Sequence, residues 1–394
     1  MDINQKRSLE FDSVDKDSPF FICTLFSYVV LKKIVNMTRE GLFDEFEYYL
    51  GKEYARSLCE LHEKKGIKGV SGIKSAFLEL QNMGFGITSA VVLNENEVFL
   101  KNTTTPIARQ YSKSFFDDSS KVDHFISGIY SGILSTAFGK NMEIKEEKCL
   151  ALGSKECIFA NTENIKDRYG IGKMIKEVLL HHSLSSKKTA AYPHFFSKEM
   201  MSRGIYTKKD GTIKIANIYH VLFRFGFYIL SNHVLSKVEK SSPDLHMFLG
   251  YTQALIATDF QKNQFGRKDA DSIFNELITH LNMFGYGVPK IELKDEGKMV
   301  IHFTESLLLT QSLKFMEVFS DPFLEGAILG FASAFGKPIS AIDFEYPKND
   351  EIAVKISFEK GKDLAKELEE RIKSHKIKKL VNERMTHKYY LFPS

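Results

Sequence analysis

An internal repeat constrains this chain more than any other feature. Residues 73–101, IKSAFLELQNMGFGITSAVVLNENEVFLK, and residues 273–302, IFNELITHLNMFGYGVPKIELKDEGKMVIH, share one grammar. Each runs amphipathic helix, glycine pair (Gly84 and Gly86; Gly285 and Gly287), strand, polar turn, strand. Glycine suits a helix exit because it reaches positive φ without a Cβ clash. The likeness continues downstream, where SGIYSGILSTAFGK at 127–140 is matched by EGAILGFASAFGK at 325–337, pairing Gly128 with Gly326 and Gly132 with Gly330. Upstream, YLGKEYARSL near residue 49 parallels FLGYTQALIA near residue 248. The offset stays between about 197 and 201 residues throughout, a drift small enough to indicate a duplicated domain.

Strands and helices do not alternate strictly. The expected fold is therefore α+β, two tandem copies of a domain in which helices pack a small antiparallel sheet. The domains read as 1–162, a helical linker 163–204, a second copy 205–359, and a C-terminal basic amphipathic helix 360–394. At 394 residues the chain is long enough for two or three cores. With 54 basic and 50 acidic residues the net charge is +4, which gives no push toward nucleic acid. The first residues are polar and hold no apolar signal core. The longest early apolar run, FFICTLFSYVVL at 20–31, stops at Lys32 and Lys33, short of the roughly 20 residues that span a bilayer. The expected setting is cytoplasmic, without a transmembrane segment. YGIGK at 169–173 lacks phosphate-loop spacing, and no DNA-binding helix pair is evident. Direct nucleic-acid binding is not expected.

The segment 127–140 places Gly128, Ser131, Gly132 and Ser135 at spacings of three and four, on one helix face. Glycine inside a helix costs about 1 kcal/mol relative to alanine, so a local reason is required. The face either packs closely on a neighbour or leaves room for a ligand.

EIKEEKCLALGSKECIFA at 143–160 holds two of the four cysteines, Cys149 and Cys157, eight positions apart around a turn with Gly153. A metal site, a redox pair and two ordinary buried thiols are all open at this spacing. Glu146 offers a third ligand, but strand alternation points it away from Cys149 unless a bulge falls near Glu147 or Lys148. Asp123 and His124, at the start of the small-residue helix, are alternatives for a fourth donor. Cys23 and Cys59 sit in apolar surroundings and read as core.

GIYSGILSTAFGKNMEIKEEKCLALGSKECIFA resembles the signature of the 4-vinyl reductase domain family: two spaced helix glycines, an FGK turn, Glu146 three before Cys149, Gly153, then Cys157 and Phe159. The resemblance covers the first copy and, more loosely, the second. It implies a fold similar to subunits of the transport-particle (TRAPP) tethering complex and a small-molecule-binding or sensor role for an apolar or aromatic ligand. It also implies a zinc ion on Glu146, Cys149 and Cys157, with Asp123 where relatives have a third cysteine. In the second copy the cysteine positions fall on Tyr346 and Val354, so one structural zinc per chain is expected. The two copies would form an internal pseudo-dimer, with a homodimer possible. An enzyme or accessory factor in tetrapyrrole vinyl reduction, and a ligand-free TRAPP-like scaffold, are the alternatives. The aromatic sensors use a tryptophan for the ring, and this chain has none.

Overall fold

The structure is a computed structural model. It describes residues 20–115, 118, 120–163, 165–181, 206–215, 218–264, 269, 281, 286–295, 297–304, 306, 321–348, 351–359 and 361–373. Gly285 and the basic tail beyond residue 373 lie outside the described residues, as does the side chain of Cys23. The fold is α+β: small antiparallel sheets packed by helices. Contacts between residues divide the chain into two compact units that part at Val234 and Leu235.

In the first unit, β1 (Phe20–Thr24) leads into α1 (Leu25–Thr38), so the early apolar run forms a strand and the start of a helix. Next come α2 (Leu42–Lys64), α3 (Gly69–Asn82), β2 (Thr88–Leu93), β3 (Val98–Asn102), α4 (Pro106–Ser114), α5 (His124–Phe138), β4 (Glu143–Lys148), β5 (Cys157–Thr162) and α6 (Ile171–His181). The strands β6 (Tyr206–Lys209), β7 (Thr212–Ile215) and β8 (Ile218–Arg224) follow, and β8 pairs antiparallel with β1 in the sheet β1-β8-β7-β6. That pairing is why the compact units divide later than residue 205, the expected start of a second copy.

The second sheet of this unit has the order β2-β3-β5-β4. The inner strand β3 alternates as its pattern requires, burying Val98, Leu100 and Asn102. α2 is amphipathic, with Leu42, Phe43, Phe46, Leu50, Tyr54 and Leu58 buried at helical spacing and Asp44 and Glu45 in its first turn. α5 lies along α2 with backbones in close approach. A Cβ on Gly128 would stand 2.0 Å from the Tyr48 carbonyl oxygen, and one on Gly132 would stand 2.3 Å from that of Lys52. Gly51 of α2 returns the contact, 2.3 Å from the Phe125 oxygen. α5 stops at Gly139, whose φ of 66° is the left-handed exit that glycine allows.

In the second unit, α7 (Phe225–Val238) crosses the boundary and α8 (Ser242–Gln264) follows. The strands β9 (Val288–Asp295) and β10 (Lys298–Thr304), helix α9 (Pro322–Ala334), strands β11 (Ala341–Lys348) and β12 (Glu351–Ser357), and helix α10 (Leu364–Lys373) complete it. Its sheet runs β9-β10-β12-β11, the same connectivity as β2-β3-β5-β4. α9 meets α8 as α5 meets α2: Cβ atoms on Gly326 and Gly330 would lie 1.7 Å and 2.1 Å from the carbonyl oxygens of Met247 and Tyr251. Among the described residues, no helix is long and apolar enough to cross a membrane.

Candidate metal centre

The β4–β5 hairpin builds one side of the centre. Pairing runs Glu146 to Phe159 and then Lys148 to Ile158, so the register shifts by one residue at Glu147. This bulge removes the alternation problem and turns Glu146 toward Cys149. A single 3₁₀ turn, Leu150–Leu152, then carries the chain round, and the left-handed Gly153 closes it. The backbone N–H of Leu150 donates to Cys157 Sγ at 3.1 Å. One ligand atom from each of Glu146, Cys149 and Cys157 lies within 4.8 Å of the others, and all three residues are buried. Donor atoms around a tetrahedral zinc ion stand about 3.3–3.8 Å apart, given bonds near 2.0–2.3 Å, so the set needs little movement to close on an ion. Both thiols are free, and no disulfide joins them.

α5 supplies the other side. Asp123 occupies the N-cap position but makes no side-chain cap bond. It is fully buried, and neither carboxylate oxygen has a hydrogen-bond acceptor role filled by an N–H or O–H group. Burial and then the Glu146 charge push its pKa well up, while the Cys157 thiol beside it acts in the opposite direction. The matching residue in the second unit behaves as a cap should: Asp321 accepts from the N–H of Leu324 at 3.0 Å and from the Tyr286 hydroxyl at 2.6 Å. Asp123 thus forgoes about 1 kcal/mol of capping and lies beside the Cys157 thiol, outside the 4.8 Å set that Glu146, Cys149 and Cys157 form. Glu146 Oε2 accepts from the N–H groups of Val122 and Asp123 at 3.1 Å each, tying the hairpin to the head of α5, while Oε1 has no partner.

The titration of this group fits a cation-shaped deficit. Burial and the neighbouring Cys149 raise Glu146 to about 8. A hydrogen bond from Cys157 lowers Cys149 to about 7, and the same bond drives Cys157 upward. Two carboxyl groups and two thiols therefore share a buried volume in which most must stay protonated unless a cation joins them. Thr105, at the N-cap position of α4 and fully buried, places its hydroxyl 3.2 Å from Cys157 Sγ. Its Thr-Pro junction marks a helix start in the sequence, but not its turn toward the thiol.

His124 does not join this group. Its Nδ1 lies 3.2 Å from Lys32 Nζ, in a separate cluster with Asp44 and Glu47. Lys32 is buried, 2.7 Å from Asp44 Oδ1, bonded to Glu47 and donating to the Val122 carbonyl at 3.1 Å. Its ammonium fills the position a metal would take there. Burial opposes the charge of Asp44, but Lys32 more than offsets it and holds the carboxyl at about 2. Burial and then Lys32 lower His124 to about 4. The signal for this cluster was a lysine inside an apolar helical run, which reads equally well as the end of that run.

The small-residue face is not a ligand wall. Gly128 and Gly132 are taken up by the backbone of α2. Ser131 Oγ meets the Tyr48 hydroxyl at 2.7 Å and accepts from the Ile144 N–H at 2.8 Å, and Ser135 Oγ accepts from the Met142 N–H at 2.9 Å. In the second unit, Val354 is buried and Asp343 is exposed on β11. No metal-ligating group is found there among the described residues. No family model matches this chain, and no curated protein matches it.

Proposed function

We propose that this chain is a small-molecule-binding or sensor protein of the 4-vinyl reductase-like kind, with one structural zinc ion in its first unit. Cys149, Cys157 and Glu146 would hold the ion, with Asp123 as fourth donor. The observation that carries this reading is the buried trio Glu146, Cys149 and Cys157, with one ligand atom of each within 4.8 Å of the others, both thiols free, and the buried Asp123 carboxylate beside Cys157 satisfied by no N–H or O–H group. Two thiolates favour zinc over the hard oxygen-seeking cations. Four protein donors leave no open position, so the ion would staple the β4–β5 hairpin to α5 rather than activate a substrate. The second unit would be a degenerate copy without the ion.

Metal analysis of the purified full-length chain tests this. One zinc per chain is expected, falling to none in Cys149→Ser/Cys157→Ser. Wild-type protein that takes up no zinc after reduction and reloading, or that binds two equivalents, would defeat it. A ligand-free scaffold is the second reading. It is favoured by the glycine faces of α5 and α9, which helix packing occupies in both units.

A further inference from the structure

A cleft of about 600 Å³ opens beside the metal centre, within the first unit. That volume suits a small molecule. Its walls come from the start of α2, the head of α5, strand β4 and the segment 165–168. The charges lining it are not evenly satisfied. Its three carboxylates already have partners: Asp44 is bound by Lys32 at 2.7 Å and Asn36 at 2.9 Å. Glu45 accepts from the backbone N–H groups of Arg168 and Tyr169 at 2.9 and 2.8 Å. Glu146 is held by the N–H groups of Val122 and Asp123. On the cationic side, Arg168 touches Glu45 only at 3.8 Å, and Lys145 pairs with Glu147. Lys121 and Lys166 have no ion-pair partner among the described residues.

Two neutral donors also line the cleft. Ser127 lines the cleft, is 2% exposed, and its Oγ has no hydrogen-bond partner. His124 lines it with a side chain about one-third exposed. Its Nδ1 lies 3.2 Å from Lys32 Nζ and 3.4 Å from Asp44 Oδ1, and a neutral imidazole offers one ring N–H. A buried hydroxyl, an imidazole N–H and two unpaired lysines line one cleft whose carboxylates are each already bound, Glu146 through Oε2. We propose that this cleft binds the carboxylate or phosphate group of a small organic anion. The inference rests on the small-molecule-binding reading and specifies the chemistry of its ligand.

Ligand-observed saturation-transfer NMR on the zinc-loaded full-length chain separates the two, with benzoate and its neutral isostere benzamide as probes at constant ionic strength. Saturable benzoate binding is expected, with benzamide at least tenfold weaker and inorganic phosphate competing. Lys121→Glu/Lys166→Glu should abolish benzoate binding, Ser127→Ala should weaken it about fivefold or more, and the exposed-site control Lys74→Glu should leave it unchanged. Equal binding of both probes would overturn the anion assignment while leaving small-molecule binding intact. Binding of neither would overturn both, and an equal loss in Lys74→Glu would reduce the effect to general surface charge. Unchanged metal content in the cleft variants keeps the zinc test independent.

Discussion

Gly128→Ala separates helix packing from ligand space by the sign of its effect. Helix propensity alone favours the alanine by about 1 kcal/mol. If the glycine bordered an open pocket, the variant would gain that amount. The added Cβ would instead stand 2.0 Å from the Tyr48 carbonyl oxygen and 3.0 Å from the Lys52 nitrogen. Ordinary contact needs more than 3 Å, so two backbones must separate by about 1 Å across the α2–α5 seam. Backbone cannot escape by changing rotamer, which places the cost near the upper end of the ~1–3 kcal/mol seen for overpacking. Set against the propensity gain, the expected net loss is about 2 kcal/mol. With a urea slope of ~1–3 kcal/mol/M, the unfolding midpoint should fall by about 1 M. Gly330→Ala, whose Cβ would meet the Tyr251 oxygen at 2.1 Å, should shift the same way. A midpoint unchanged or raised by Gly128→Ala would refute the reasoning and return this face to the ligand.

The two aspartates should part company under substitution. Asp123→Ala should weaken zinc binding, measured by chelator competition, by more than the ~10–100-fold typical of losing a supporting hydrogen bond; Asp321→Ala should leave zinc binding unchanged and cost ~1 kcal/mol in urea unfolding as its cap is lost. Metal loading should release protons. Glu146, raised to about 8, and Cys157, raised further, are protonated below neutrality without the ion, so affinity should climb with pH and fall on acidification. Calorimetric zinc titrations at pH 6.5 in two buffers of different ionisation enthalpy should differ by about two protons or more, and equal enthalpies would contradict this.

The α+β class and the order of elements were legible because they depend on local patterning: apolar residues at helical spacing in α2, alternation in β3, glycine at the exit of α5. The cysteine hairpin was legible for the same reason. Its donors lie within one hairpin, and the period of two even showed that Glu146 and Cys149 needed a bulge between them. Sequence left open what covers each face, because that depends on the path of distant segments. Only the tertiary structure laid the α5 glycines on α2. It also sent the adjacent Asp123 and His124 to different clusters, buried Lys32 between two acids, and turned the Thr105 hydroxyl toward Cys157. A sequence sets which groups a short segment can present; which desolvated partner each one meets is decided by packing elements far apart in the chain.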